Sequence, residues 1–138
     1  MLELSIVNQQ IAIAGRVLQG ETNKHIAGVI VAIVEVPEKY QNILSLKALQ
    51  YGGQWAKMSE RPDRKITAYD GYFYFTNLPP GEYLLAASLP NSSTQYAEVR
   101  QEVQVSAAVD GRIPTTQVDI VFLPTLIPMQ NSALQNRG

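Results

Sequence analysis

The 138-residue sequence contains no cysteine and a single histidine, His25. Without thiols the chain has no disulfide framework, no thiolate nucleophile and no cysteine ligand for a metal. One imidazole cannot supply a metal site built from several histidines, nor a relay between two of them. We therefore predict no metal-binding and no cofactor-binding residues, and hence no cofactor.

The sequence also lacks an excess of charge of one sign and a long apolar run. Its 11 basic and 12 acidic residues leave a net charge of −1, which offers no basic field to a phosphate backbone, so we expect no nucleic-acid partner. The longest apolar run, Gly28 to Val34, is far shorter than the ~20 residues that span a bilayer, so we expect no membrane insertion. The first residues lack the basic start and cleavage site of a secretory signal, which favours a cytoplasmic location.

Signatures of catalysis are missing as well. The sequence has no G-x-S-x-G nucleophile elbow and no run of alternating aspartates for calcium. Asp70 and Asp110 each precede a glycine, and turn chemistry accounts for both. His25 lies in a polar Thr-Asn-Lys-His loop, where a solvated side chain is expected. We predict no catalytic residues and no enzyme.

What the chain does contain is a series of short apolar runs separated by turn residues, a pattern typical of β-structure. Residues 11–19 alternate with period two, and residues 29–36 are apolar on both faces, as in a strand in the middle of a sheet. The pattern predicts an all-β fold, a seven-stranded antiparallel Greek-key β-sandwich with one inserted short helix. We assign residues 1–10 to an N-terminal arm, 11–124 to the sandwich and 125–138 to a C-terminal tail.

The central segment predicts a hairpin. Ile66 to Tyr69 reads as a short strand, and Asp70-Gly71 is typical of a type I′ turn, which needs positive φ at both central residues. The following Tyr72-Phe73-Tyr74-Phe75 alternates, so the two phenylalanines and the two tyrosines occupy opposite faces. Because the phenylalanines belong in the core, the tyrosines should point outward.

The run from Asp70 to Leu85, DGYFYFTNLPPGEYLL, resembles the D-G-x-F-x-F-x-x-L-P-x-G-x-Y-x-L stretch of carboxypeptidase regulatory-like domains, a group of the transthyretin-like and CnaB-like sandwiches. The opening IAGRV of residues 13–17, the IAGVIV of residues 26–31 and the final strand at 118–123 are also similar to that family. The resemblance covers roughly residues 11–124. It implies the fold and says little about function, because sites are grafted on folds.

Residues 37–65 depart from that family, in which the corresponding connection is short. Residues 38–51 change to a helical period and predict an amphipathic helix stopped by Gly52-Gly53. The remaining residues of this insertion, which include Trp55, read as a charged loop with a brief strand around residues 55–58. An insertion of this length in a compact domain is typically either functional or disordered, and we expect the partner to bind there.

Aromatic residues of the insertion and of the outward face are the candidates for contact, because rings with one polar end are favoured at interfaces. Either the insertion packs over the outward tyrosines, or those tyrosines meet a partner. The candidate interface residues are Tyr40, Leu44, Trp55, Tyr69, Tyr72 and Tyr74.

The hypothesis that follows is a non-catalytic interaction module, a structural or adaptor subunit of a larger assembly whose partners are other protein subunits. Domains of similar sequence pattern occur in phage-tail-like contractile injection particles, which is one setting that the resemblance implies. The alternative is a carbohydrate- or peptide-binding module, in which Trp55 and the tyrosines form a stacking platform or a sheet edge accepts an added strand.

Overall fold

A computed structural model describes residues 10–90 and 97–123. The predicted arm, apart from Gln10, and the predicted tail lie outside the described residues. No helix in the described part of the chain is long and apolar enough to cross a membrane.

Seven strands and one α-helix make up the described fold, which confirms a mostly β protein with a helical insertion. Helix α1 spans Glu38–Tyr51, as predicted, and a 3-10 helix at Gly52–Lys57 follows it where the sequence indicated a loop and a brief strand. The strands are β1 (Ile11–Gln19), β2 (Ile30–Glu35), β3 (Arg64–Ile66), β4 (Tyr72–Thr76), β5 (Gly81–Ser88), β6 (Val99–Val105) and β7 (Thr116–Phe122).

The strands form two sheets that pack face to face. Sheet A has the order β4-β1-β7, and sheet B has the order β3-β2-β5-β6. Alternate side chains of every strand except β3 enter the core between the sheets, among them Phe73, Phe75, Leu85 and Ile120. The hydroxyl of the buried Tyr83 donates to the carbonyl of Pro79, so the turn before β5 is tied to the core in the manner of a tyrosine corner.

The prediction that the sandwich is antiparallel is wrong for one strand pair. β1 and β7 run parallel, with Ile13 opposite Thr116 and Gln19 opposite Phe122. The other pairs are antiparallel. Side chains alternate between faces in both kinds of ladder, so periodicity carries no information about strand direction. The Greek-key connectivity stays a prediction.

The predicted hairpin at Asp70-Gly71 is also wrong. β3 ends at Ile66 and belongs to sheet B, whereas β4 belongs to sheet A, so this turn carries the chain from one sheet to the other. The amide of Gly71 donates to the carbonyl of Ala68 at 2.8 Å, which makes Asp70 the third and Gly71 the fourth residue of the turn. The Asp70 carboxylate accepts the amide of Tyr72 at 3.1 Å, as in an Asx turn.

The insertion packs along one side of the sandwich. Tyr40 and Leu44 of α1 are buried in the core, and the ring of Tyr40 meets that of Tyr83 edge-on at 6.0 Å. The groove beside α1 is bordered by Ile43 and, across from it, by Thr76 at the end of β4. The insertion therefore lies along the side of the sandwich, with this groove between α1 and the end of β4.

Gly15 lies on the tightly packed inner face of sheet A, and replacing it tests how closely this part of the core is packed. A β-carbon at Gly15 would lie 2.4 Å from Cζ of Phe73 and 2.8 Å from Cγ1 of Val118. We expect Gly15→Ala to lower the free energy of unfolding by about 1–3 kcal/mol, the usual cost of overpacking, measured by denaturant titration. Gly53→Ala is the control because a β-carbon there has nothing within 4 Å. An equal loss in both variants would contradict the packing described.

Candidate functional site

The outer face of sheet A brings polar and aromatic side chains into rows. Arg16 on β1 lies opposite Tyr72 on β4 and opposite Asp119 on β7, so the three form one row across the sheet. In the neighbouring row, the small Ala14 lies between Tyr74 and Gln117. A shallow depression of about 320 Å³ is bordered by Arg16, Tyr72, Gln117 and Asp119. We call the outer face of sheet A along these two rows the tyrosine face.

An ion pair sits in the middle of the tyrosine face. The Arg16 guanidinium donates from Nε and Nη2 to the two carboxylate oxygens of Asp119, at 3.1 and 3.4 Å. The hydrogen bond to Asp119 and its charge raise the pKa of Arg16. The two opposite charges offset each other, so the pair produces little net electric field at this surface. The two hydrogen bonds hold the planar guanidinium in one orientation.

The tyrosines beside this pair are accessible to different degrees. Tyr69, in the turn that leads into β4, is 91% exposed, and Tyr74 is 47% exposed. Tyr72 is half-buried because His25 packs against its ring edge-on at 6.0 Å. Since α1 packs into the side of the sandwich, the described part of the insertion does not lie over Tyr69 or Tyr74.

The other candidate residues lie elsewhere. Tyr40 and Leu44 are enclosed by the core of their own chain. Trp55 in the 3-10 helix is half-buried, with the guanidinium of Arg61 4.6 Å above its ring. The structure thus places Tyr72 and Tyr74 together on the tyrosine face and Tyr69 in the turn before β4. The three candidates of the insertion are separate from this face. The interface role of all six stays a prediction.

Sequence reasoning missed the non-aromatic members of the tyrosine face. Ala14, Arg16, Gln117 and Asp119 come from the first and last strands, which are more than a hundred residues apart and meet through the parallel pairing. The alternation of β1 predicts that the side chains of residues 14 and 16 point outward. The register that places Asp119 beside Arg16 cannot be predicted from any local pattern.

Among residues 10–90 and 97–123, no group of three or more histidine, aspartate or glutamate side chains is arranged to hold a metal ion. The two clearly raised tyrosine pKa values belong to Tyr40 and Tyr83, in the core and away from the tyrosine face. Burial is the main cause of both shifts, and the nearby Asp63 carboxylate adds to the shift of Tyr40.

Comparison with known proteins identifies the fold alone. No protein-family model and no curated protein matches this sequence. The 5-hydroxyisourate hydrolase of Klebsiella pneumoniae is similar in structure, with a TM-score of 0.50 and 13% identity over 83% of this chain and 85% of that one. The hydroxyquinol 1,2-dioxygenase of Pseudomonas putida DLL-E4 has a TM-score of 0.51 and 10% identity over 85% of this chain, which spans 57% of that enzyme. The chain has a transthyretin-like β-sandwich fold, and at these identities neither activity transfers to it.

Proposed function

We propose that this chain is a non-catalytic interaction module of the carboxypeptidase regulatory-like kind, and that it docks another protein subunit on the tyrosine face. The observation that carries the proposal is the exposure of Tyr74 on a sheet face whose central charges already offset each other, together with the exposed Tyr69 in the turn that leads into this face. Tyrosine and arginine are enriched among interface hot spots, and an oriented arginine beside Tyr72 matches that composition.

Binding on this face would rest on burial of ring surface and on hydrogen bonds from tyrosine hydroxyls, Gln117 and the free edge of Arg16. A face with little net charge gains little from electrostatic steering, so the partner surface should be apolar and neutral-polar. A structural subunit of a larger assembly fits this chemistry. A phage-tail-like contractile injection particle is the setting implied by the sequence resemblance, and the identity of co-purified proteins would test it.

The test is isolation of the native complex through a tag on this chain, with its mass and components determined. We expect a stoichiometric partner protein, and we expect Tyr69→Ala combined with Tyr74→Ala to weaken its binding by at least about thirtyfold, since one hot-spot tyrosine contributes about 2 kcal/mol or more. The binding constant would be measured by titration calorimetry with the purified partner.

Tyr51→Ala is the matched control, because Tyr51 is 46% exposed, nearly as much as Tyr74, but lies at the end of α1 away from the tyrosine face. Its affinity should equal that of the unaltered chain. Recovery of the tagged chain as a lone monomer, or equal losses in both variants, would overturn the proposal.

A second candidate function, carbohydrate binding, is favoured by one feature of the same face. The depression on this face is bordered by the ring of Tyr72 and by the polar groups of Arg16, Gln117 and Asp119. A ring beside amide, carboxylate and guanidinium groups can pack on the apolar face of a sugar and form hydrogen bonds with its hydroxyl groups. Glycan binding by the isolated chain that is lost on Tyr72→Ala and kept on Trp55→Ala would favour this candidate over a protein partner.

A further inference from the structure

The outer face of sheet B presents two adjacent rows of opposite charge. In one row, Arg64 lies opposite Ala32, Ala32 opposite Ala86, and Ala86 opposite Arg100. The next row along β5 places Leu84 between Glu35 and Glu102. One row therefore has small residues flanked by arginines, and the other has a large apolar residue flanked by glutamates.

Apolar side chains continue beyond these rows. Ile30 and Ile66 lie opposite each other on the same face and are partly exposed, as are Ala32 and Leu84. Val34, beside the glutamate row, is 45% exposed. Apolar side chains with charges around them are the usual composition of a protein interface. The insertion reaches this face at one corner, where the Arg64 guanidinium donates to the carbonyls of Met58 and Ser59, so Arg100 is the arginine available to a partner.

The two rows are complementary to each other, which points to a second copy of this chain as the occupant. A two-fold axis in the plane of the face, perpendicular to the strands and midway between the rows, exchanges the arginine row with the glutamate row. Each Leu84 then lies over Ala86 of the second copy, and each Arg100 lies over Glu102 of the second copy. An interface in which one patch meets itself in this way is isologous, the most common arrangement in homodimers.

We propose that two copies of this chain associate through the outer faces of their B sheets, about a two-fold axis perpendicular to the strands. This inference is independent of the tyrosine face, which lies on the opposite sheet and would stay accessible in the dimer. Glu98 accepts the Nε–H of Arg100 at 2.8 Å, and the remaining guanidinium N–H groups can donate to Glu102 of the second copy. The dimer would present two tyrosine faces on its two outer surfaces.

The test exchanges charges on β6. Arg100→Glu places a glutamate against Glu102 of the second copy at both symmetric contacts, and Glu102→Arg places arginine against arginine. Like charges brought together at an interface are strongly unfavourable, so each variant alone should raise the dimer dissociation constant by about a hundredfold. An equimolar mixture of the two variants restores opposite charges at both contacts and should recover the dimer. The double variant carrying both changes should also dimerise.

Sedimentation equilibrium would measure the mass, with a dimer expected at twice the 15.3 kDa of one chain. Circular dichroism would show that each variant is folded. Glu21→Lys is the matched control, since it reverses an exposed charge in the turn after β1, outside the glutamate and arginine rows and outside the tyrosine face, and the mass should be unchanged.

A chain that stays monomeric at its highest soluble concentration would overturn the proposal, as would single variants that dimerise normally. A mixture that fails to recover the dimer would exclude the proposed axis. A dimer disrupted by Tyr74→Ala but insensitive to both charge reversals would place self-association on the tyrosine face instead.

Discussion

Arg61→Ala is expected to lower the free energy of unfolding by about 2–4 kcal/mol, because it leaves a poorly solvated carboxylate without its partner. The Arg61 guanidinium donates to both oxygens of Asp63, at 3.0 and 3.4 Å, and to the carbonyl of Trp55 at 3.3 Å. The two charged side chains are only 16% and 14% exposed, and the guanidinium also stacks on the Trp55 ring. One side chain thus joins the 3-10 helix to the strand that follows it.

The loss would be measured by denaturant titration and located by limited proteolysis. We expect new cleavage between residues 52 and 63, because the segment loses its attachment to β2, where the amide of Ile33 donates to the carbonyl of Asp63 at 2.8 Å. Arg16→Ala is the control, since the Arg16–Asp119 pair has similar geometry but is 38% and 50% exposed. Exposed pairs contribute little to stability because solvent screens them, so equal losses in the two variants would show that burial of the Arg61–Asp63 pair is not the cause.

Alkaline pH is expected to destabilise the fold between about pH 10 and pH 12, through the tyrosines of the core. Burial, with a contribution from Asp63, raises the pKa of Tyr40 to about 12, and burial with the adjacent Tyr40 also raises the pKa of Tyr83. A tyrosine in the unfolded chain has a pKa of about 10. As pH rises, the tyrosines therefore lose their protons first in the unfolded state, which favours unfolding. The stability that the buried, protonated tyrosines contribute is complete below about pH 10 and is lost as pH rises through the folded pKa.

For Tyr40 the loss should reach about 2 kcal/mol, since each pKa unit corresponds to about 1.4 kcal/mol and part of the shift is discounted for relaxation. The measurement is denaturant titration at a series of pH values, with Tyr40→Phe expected to flatten the decline because it keeps the ring and removes the proton. A decline that is identical in the unaltered chain and in Tyr40→Phe would show that Tyr40 is not its cause.

Local pattern was sufficient for the elements themselves. The alternation of Tyr72 to Phe75 predicts which rings enter the core, and the structure buries Phe73 and Phe75 while leaving Tyr74 exposed. The helical period of residues 38–51 and the glycines after it predict α1 and its end, where Gly52 adopts a φ of 59°. These features depend on residues only a few positions apart, so propensity and periodicity are sufficient to predict them.

The pairing of the strands was decided by tertiary structure, and local sequence patterns either did not predict this pairing or predicted it wrongly. Asp70-Gly71 and Asp110-Gly111 have the same composition, and both lie on connections from sheet B to sheet A. Asp110-Gly111 has positive φ at both residues, 53° and 79°, because it occupies the two central positions of a turn that Val109 and Arg112 close. Asp70 is instead the third residue of its turn and Gly71 the fourth, because the amide of Gly71 donates to the carbonyl of Ala68. The residues of a turn restrict its backbone conformation, but they do not determine which strands the flanking segments pair with.

The tyrosine face and the outer face of sheet B likewise combine features that local sequence predicts with features that only tertiary structure determines. The sequence alone determined that residues 14, 16, 72 and 74 point away from the core, because side chains alternate along a strand. Only the parallel pairing of β1 with β7 placed Asp119 beside Arg16, and only the register of sheet B set an arginine row next to a glutamate row. Strand direction and register are fixed by contacts between distant segments, whose free energy is gained only when the whole sandwich closes, so no short stretch of sequence carries them.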